Sequence, residues 1–425
     1  MSSSLPIFLV AFALRVVAVL VLGHYRQPVL WENGVIARYL MAGCGFCMDF
    51  SLTAEPSSWQ APAYPLLLFA TWSVFGEGAR AYLIVSLLQA AALASMVFPV
   101  GRLTRRWIGE PAATWAMWLV AVMPLLVWYA TRLHQAGLVM ALHPWLLYWW
   151  VRLGDRPRSA RGALVGLGSG VAALFQPILL LLAVCFGTAQ MVRALATRNW
   201  RIAWALGVAA VLAAGVLTPW TVRNYEVHGR FVPIRDSFGK ELWMGNNPNA
   251  TGTSFAVGGE TEITFAYPPK AFALKGQVPE ADLMEAMRRE AVDYIRAEPA
   301  AFLRRTSQKV LWFWTAAPAD RVRRTEGGEA IEFRWLYLGS WATFVGLSVL
   351  GAWTTRCIPR SYWLTLALYV GVYSVLYGVT HVGQARYRGE MEFVLIPLAA
   401  AGLSALVSMA QPASRRQPRP ASIGG

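Results

Sequence analysis

Three carboxylates lie in the first polar stretch of this 425-residue sequence, residues 24–61. They are Glu32, Asp49 and Glu55. A carboxylate can act as a general base that accepts a proton from a reacting hydroxyl group. Acidic residues in a loop are also often only solvated. Position alone therefore leaves both interpretations open.

Cations near the ends of hydrophobic segments are candidates for binding a phosphate group. They are Arg223, Lys240, Arg386 and Arg388, and the last two flank Tyr387. Arginine binds phosphate with two parallel hydrogen bonds, whereas lysine provides a point charge. The alternative is that these long side chains reach toward lipid headgroups.

Cys44 and Cys47 form a C-x-x-C motif in the same polar stretch. A thioredoxin-like redox role would require a βαβ context, which the surrounding sequence does not predict. We expect a structural disulfide, which persists outside the cytoplasm. Two free thiols are the remaining alternative.

Several motifs of soluble enzymes are absent from the sequence. No two aspartates are two residues apart, so there is no D-x-D site for a nucleotide-sugar donor. There is no Walker loop and no dinucleotide fingerprint, and the five histidines lack metal-ligand spacing. We predict no metal site from these patterns, and a divalent ion on the outer carboxylates remains an open alternative.

The composition predicts an integral membrane protein. The chain is 56% hydrophobic and 14% charged, against roughly 25% charged in soluble domains. Apolar stretches recur along the sequence, which favours an all-α polytopic bundle of about ten transmembrane helices. The first stretch, 5–23, is not followed by a small-residue cleavage site, so we expect it to be retained as a helix.

The net charge of +15 is unevenly distributed. Five short segments hold 15 basic residues and only two acidic ones, Glu110 and Asp155, whereas residues 221–334 hold 16 basic and 15 acidic residues. Basic residues concentrated in short loops indicate the cytoplasmic side of a membrane and not a nucleic-acid surface. The excess of arginine over lysine, 34 to 4, is typical of GC-rich bacterial genomes. The expected location is a bacterial inner membrane.

The basic segments determine a predicted topology in which loop 24–61 lies outside, in the periplasm. The predicted spans are 5–23, 80–100, two within 112–151, two within 162–195, 202–219, 335–353, 361–379 and 391–410. The apolar stretch 62–75 is too short to cross, so it is expected to be a re-entrant or juxtamembrane helix. Four units are predicted. Residues 1–220 form an N-terminal membrane module and residues 221–334 a small α-rich outer region. Residues 335–410 form the last membrane helices and residues 411–425 a disordered basic cytoplasmic tail.

Four stretches resemble polyprenyl-phosphate-dependent glycosyltransferases of the C superfamily (GT-C), close to family 39. This group includes protein O-mannosyltransferases and the lipid A aminoarabinose transferase. The stretches are WENGVIARYLMAGCGF from Trp31, APAYPLLLFATWSVFG from Ala61, TPWTVRNYEVHGRFVPIRDSFGKELWMGNNPNATG from Thr218 and QARYRGEMEFVLIP from Gln384. The chain departs from the family pattern at Trp31-Glu32, where two adjacent acidic residues are common, at Gln135, where Glu is common, and at Gln176-Pro177, where Arg-Pro is common. We also expect no extra soluble domain, which some members carry, after the last predicted helix.

The resemblance implies transfer of a sugar from a polyprenyl-phosphate carrier to a glycolipid, polysaccharide or protein on the outer face. Glu32 aligns with the family's acidic residue and would be the general base. A phosphate leaving group needs no proton donor, so one carboxylate suffices, unlike the pair used in glycoside hydrolysis. The cations named above, together with Tyr387, Asp49 and Glu55, would bind the substrates.

Two other function classes were weighed. A transporter or lipid-linked sugar flippase would place ionisable residues near the membrane midplane and often shows repeat symmetry. Here only Arg15 lies deep within a hydrophobic segment, and that position fits either a functional or a snorkelling side chain. A non-catalytic membrane scaffold is the second alternative.

Overall fold

The computed structural model describes residues 4–49, 54–258, 261–317, 334–383 and 385–410, and these form an almost entirely helical protein. The helices are α1 Ser4–Leu22, α2 Trp31–Met41, α3 Ala63–Phe75, α4 Ala79–Ser95, α5 Val97–Trp107, α6 Glu110–Val122, α7 Pro124–Thr131, α8 Gln135–Asp155, α9 Ser159–Phe175, α10 Ile178–Ala196, α11 Trp200–His228, α12 Phe238–Gly245, α13 Ile263–Ala266, α14 Glu280–Ala297, α15 Pro299–Thr315, α16 Arg334–Thr354, α17 Arg360–Thr380, α18 Ala385–Gly389 and α19 Ile396–Ala410. A two-stranded antiparallel sheet pairs β1, Cys47–Met48, with β2, Glu55–Pro56. The predicted tail lies outside the described residues.

The hydrophobic helices confirm the all-α polytopic fold class. In the described part of the chain, seven helices are long and apolar enough to cross a membrane: α1, α4 with α5, α6 with α7, α10, α11, α16 and α17. The other three predicted spans correspond to α8, which contains Pro144, and to the shorter helices α9 and α19. The predicted re-entrant segment is α3, 13 residues long.

Two helices are longer than the sequence predicted. The span predicted at 80–100 continues through α5 to Trp107, because Leu103 and Trp107 bury one face of α5 in the core. The helix predicted to end at residue 219 continues to His228. Its last turns are hydrogen-bonded to residues 24–61, which we call the first outer loop. Ser58 Oγ of this loop donates to Asn224 Oδ1 at 2.8 Å and lies 2.8 Å from His228 Nε2. The boundary placed at residue 220 therefore falls inside α11.

Small residues bring pairs of membrane helices into close contact. Gly162 and Gly166 of α9 face the backbone of α11, where an added Cβ would clash with the carbonyl groups of Ala205 and Ala209. Small residues four apart are typical of tightly packed transmembrane helices, since lipid supplies no hydrophobic driving force between them.

Arg15 connects α1 to the end of α6 within the core. Its guanidinium is fully buried and donates to Ala11 O at 2.9 Å, Val120 O at 2.7 Å and Ala121 O at 3.1 Å. The carbonyls at a helix C-terminus attract a cation. Arg15 is therefore a packing residue, and neither of the two roles expected from the sequence describes it.

The ends of several predicted cytoplasmic segments meet at one end of the bundle. Arg106 of α5 forms two hydrogen bonds with Asp155 at the end of α8, and Arg193 of α10 donates to Gly154 O at 3.4 Å. We call this the inner end. The 21 residues of α8 span about 30 Å, so Gln135 at its start marks the opposite, outer end. The first outer loop and α12 to α15 lie at that outer end.

Candidate active site

A polar cavity lies at the outer end, where the first outer loop, the start of α8, α12 and the segment after α17 meet. It contains about 880 Å³ of space, part of it open to solvent. Four residues selected from the sequence line it: Glu32, Lys240, Arg386 and Tyr387. Residues more than 350 positions apart in the chain therefore share one site.

Glu32 lies half-buried in the first turn of α2. The amide groups of a helix N-terminus favour a negative charge at this position. Within the described residues, no group donates a hydrogen bond to this carboxylate or forms an ion pair with it. The preceding Trp31 has a left-handed φ of 51°, which is uncommon for a non-glycine residue and occurs preferentially at functional sites. The carboxylate is thus held at the cavity but not bound to protein.

Lys240 supplies a buried positive charge on α12. Its Nζ lies 2.7 Å from Glu262 Oε1 and 5.0 Å from the centre of the Trp59 ring. Burial lowers the pKa of this amine, but the carboxylates of Glu262, Glu241 and Glu32 outweigh burial and raise the pKa above its ordinary value. The ammonium group therefore stays charged although it is only 8% exposed.

A chain of polar contacts runs behind Arg386. Its Nη2 donates to Tyr387 Oη at 2.6 Å, and Tyr387 Oη is joined by a short hydrogen bond to His381 Nε2. The other ring nitrogen, Nδ1, lies 2.5 Å from Glu241 Oε2. Burial raises the pKa of Glu241, but His381, Arg235 and Lys240 outweigh it and lower the pKa to about 2. Glu241 is therefore a carboxylate at physiological pH.

Buried amides form another wall of the cavity. Gln135 Nε2 donates to Gln176 Oε1 at 3.2 Å, so the two positions that depart from the family pattern contact each other as one neutral pair. The side-chain oxygens of Asn33, Gln60 and Gln135 are buried and have no hydrogen-bond partner within the described residues. A buried acceptor without a partner is costly unless a ligand supplies a donor. Sugar hydroxyl groups are such donors.

Arg223 lies outside this cavity. Its guanidinium donates to Ser57 O at 2.6 Å and to Phe46 O at 2.9 Å, and it stacks against the Trp220 ring at 5.0 Å. Its role in the structure is to attach the first outer loop to α11. The geometry does not support the phosphate contact expected from the sequence.

Arg388 also points away from the cavity, although Arg386 is two residues earlier. The side chain is fully buried, with Nε 2.8 Å from Glu392 Oε1. Its Nη1 donates to Phe313 O at 2.9 Å and Trp314 O at 2.8 Å, and its guanidinium lies 3.8 Å from the Trp341 ring centre. These contacts leave no access for a lipid phosphate, so the geometry does not support its expected role in binding one.

The remaining candidates of the first outer loop lie apart from the cavity. Asp49 is exposed beside β1, and Glu55 is half-exposed in β2. Cys44 and Cys47 are joined by a disulfide between α2 and β1. Within the described residues, no group of three His, Cys, Asp or Glu side chains is close enough to hold a metal ion.

Sequence reasoning missed several charged or titratable residues of the site, among them Arg235, Glu241 and His381. Arg235 and Glu241 lie in a stretch that resembles the family, and Glu241 directly follows Lys240, so adjacency was an available signal. His381 comes three residues before the stretch QARYRGEMEFVLIP and had no motif of its own. Only the packing of α12 against the end of α17 brings it to the site.

Comparisons with known proteins show a shared fold at low sequence identity. No family model matches the chain, and no curated protein matches its sequence. The archaeal oligosaccharyltransferase AglB from Archaeoglobus fulgidus, solved with an inhibitory peptide and a dolichol-phosphate, is 14% identical at a TM-score of 0.54, over 96% of this chain and 50% of that one. The oligosaccharyltransferase of the same organism in its apo form is 13% identical at a TM-score of 0.54, over 96% and 51%.

A third structure is less similar. ArnT from Cupriavidus metallidurans bound to undecaprenyl phosphate is 17% identical over 95% of this chain and 78% of that one, at a TM-score of 0.41. That score is too low to establish a shared fold. The likeness to the two archaeal oligosaccharyltransferases does establish a shared fold. This chain spans about half of their length. The chain therefore shares the fold of these archaeal oligosaccharyltransferases, and the predicted all-α polytopic fold is confirmed.

Proposed function

We propose that this chain is a membrane glycosyltransferase that moves a sugar from a polyprenyl-phosphate carrier to an acceptor hydroxyl at the outer end of the bundle. The observation that carries the proposal is the outer cavity. There the unbound carboxylate of Glu32 shares one space with the cations Lys240 and Arg386. A reaction that needs a base at one point and a stabilised phosphate at another requires this pairing.

Glu32 would accept the proton of the acceptor hydroxyl as its oxygen attacks the anomeric carbon. The new glycosidic bond forms while the bond from that carbon to the phosphate oxygen breaks. Attack opposite the leaving group inverts the anomeric configuration. A carboxylate without a protein partner suits this role, because no existing hydrogen bond must be broken before it takes the proton.

Arg386 and Lys240 would hold the carrier phosphate. The phosphate gains negative charge as the bond to the sugar breaks, and fixed cations in a largely buried site stabilise that charge without reorganising. Glu241, His381 and Tyr387 would keep the Arg386 guanidinium in place, since the hydrogen bond from Arg386 ends on Tyr387 Oη. They act as positioning residues.

The carrier and the acceptor are inferred by class. One archaeal neighbour of the same fold was solved with a dolichol-phosphate and a peptide, which supports a lipid-phosphate carrier and leaves the acceptor as a glycolipid, a polysaccharide or a protein. The cavity lies at the outer ends of the membrane helices α8 and α17, so a carrier tail would extend from it along the bundle into the membrane. We place the protein in a bacterial inner membrane with the cavity facing the periplasm.

Mass spectrometry of lipid extracts from a deletion strain tests this proposal. Loss of the transferase should cause one polyprenyl-phosphate sugar to accumulate and one surface glycan to lose that sugar. The wild-type gene should reverse both changes, and the matched Glu32→Gln gene should reverse neither. Unchanged lipids and glycans would contradict the proposal. A carrier confined to the cytoplasmic leaflet would instead indicate a flippase.

A further inference from the structure

A groove at the inner end lies outside the proposed reaction. It runs between α10 and α17, with α5 and α8 at its back, and contains about 910 Å³ of space. We call it the inner-end groove. The part of the groove closer to the middle of the bundle is apolar, with Phe186 of α10 facing Leu364 and Leu368 of α17. Its near part, toward the predicted cytoplasmic side, is polar.

The charge at the polar part is positive. Arg106 is neutralised by its two hydrogen bonds to Asp155. Arg193 is exposed, and within the described residues its side chain forms only the 3.4 Å hydrogen bond to Gly154 O. The Arg193 guanidinium therefore retains most of its donors for a ligand. Ser361 adds a hydroxyl group at the start of α17.

Close packing holds the Gln190 amide at this polar part. Gly154 has no side chain, and the amide of Gln190 occupies the space that a Cβ would need. The Gln190 Oε1 atom is buried without a hydrogen-bond partner in the described part of the chain. A cation and an unsatisfied amide thus border one end of an apolar channel at the inner end of the bundle.

We propose that the inner-end groove binds an anionic phospholipid, with the headgroup phosphate on Arg193 and one acyl chain between Phe186 and Leu368. Basic pockets between helices on the cytoplasmic side suit such headgroups. An acyl chain matches the apolar part, which is lined by Phe186, Leu364 and Leu368. A free phosphate would leave that part unfilled. The bound lipid would connect α10 to α17 at the end opposite the reaction.

Native mass spectrometry of the full chain tests the site. The purified protein is titrated in detergent with phosphatidylglycerol or with phosphatidylcholine of the same chain length. We expect one phosphatidylglycerol to be retained in preference to phosphatidylcholine. Arg193→Ala should weaken its binding about fivefold, the usual effect of one basic residue near anionic lipid. Ala189→Trp, which fills the groove from α10 without changing charge, should weaken it as well.

Arg201→Ala is the matched control, since Arg201 is an exposed arginine near the same end that does not line the groove. It should leave the affinity unchanged. Equal losses from Arg193→Ala and Arg201→Ala would show only a diffuse basic surface and overturn the proposal, as would equal retention of the two lipids. Displacement of phosphatidylglycerol by inorganic phosphate, or stronger binding of a polyprenyl phosphate, would also overturn the assignment to a phospholipid.

Discussion

Two buried clusters of opposite charges lie near the outer end of this protein, and only one of them is open. In the outer cavity, Lys240 and Arg386 border free space, and Glu32 has no partner in the described chain. In the second cluster, Arg388 is closed in by Glu392, two backbone carbonyls and an aromatic ring. Each cluster contains one arginine of the same R-Y-R motif, Arg386 in the outer cavity and Arg388 in the second cluster.

The contrast shows that burial and charge alone do not identify a catalytic site. A buried ion pair whose donors are all satisfied by protein fixes packing, and removing one partner is costly because the other remains charged and buried. A site must instead keep at least one charged group that faces open space without a protein partner, as Glu32 does here. The predictions below test whether function belongs only to the open cluster.

The largest expected effect is the loss of transfer in Glu32→Gln. The amide keeps the size and polarity of the side chain but cannot accept the proton, so the rate should fall roughly 10²–10⁴-fold. Initial rates of sugar transfer from the labelled carrier measure this. Glu55→Gln, in the same loop but outside the cavity, should keep near wild-type activity. Equal losses in both variants would remove the special role of Glu32.

Arg386→Ala should lower kcat/KM by roughly 10²–10³-fold, because a fixed donor to the leaving phosphate is lost. Arg386→Lys should recover only part, since lysine lacks the planar guanidinium. Donor-lipid binding and thermal stability are measured in parallel. We expect weaker donor-lipid binding with an unchanged melting temperature. A variant with a lower melting temperature but unchanged donor binding would show that Arg386, like Arg388, serves only in packing.

Arg388→Ala should act on folding. Glu392 would remain buried without its cation, a change that costs about 3–5 kcal/mol in comparable pairs. We expect reduced yield and a lower melting temperature in detergent. The double variant Arg388→Met with Glu392→Leu, which removes both charges, should recover much of the stability. A stable Arg388→Ala protein that fails to bind donor lipid would reverse our assignment of the two arginines.

His381→Asn should have a smaller effect on transfer. The positioning contacts to Glu241 and Tyr387 weaken, but Arg386 and Lys240 remain, so we expect about a tenfold loss, close to that of one hydrogen bond to a charged group. The loss should appear in kcat more than in KM and should be partly rescued by added imidazole. A variant whose melting temperature falls while kcat stays constant would show a structural role only.

The prediction furthest from the reaction is a pH dependence of stability from Glu280. Burial raises the pKa of this carboxyl to about 7, despite hydrogen bonds from Ser57 and Ser58. A raised pKa means that the folded state favours the protonated form, so this contribution is complete below about pH 4.5 and is lost as the pH rises toward 7. Melting curves of Glu280→Gln should match wild type at pH 4.5 and exceed it at pH 8, by at most about 3 kcal/mol. An equal difference at both pH values would contradict this.

The sequence predicted the membrane helices well because hydropathy and basic segments act locally. It was less accurate at the ends of α5 and α11, where packing against α6 and the first outer loop extends each helix. For the candidate site, Glu32, Lys240, Arg386 and Tyr387 were selected from their positions in the chain and from a family pattern, and they line one cavity. The direction in which Arg388 points, and the approach of His381 to Glu241 across 140 residues, depend on tertiary packing that no local pattern encodes.

The most direct test of the central claim is a cryo-electron microscopy structure of the Glu32→Gln protein with a polyprenyl-phosphate sugar bound. We predict that the phosphate lies within hydrogen-bonding distance of Arg386 and Lys240, with the anomeric carbon of the sugar facing residue 32. A phosphate bound instead at Arg223 or Arg388, or a sugar placed away from residue 32, would contradict the account.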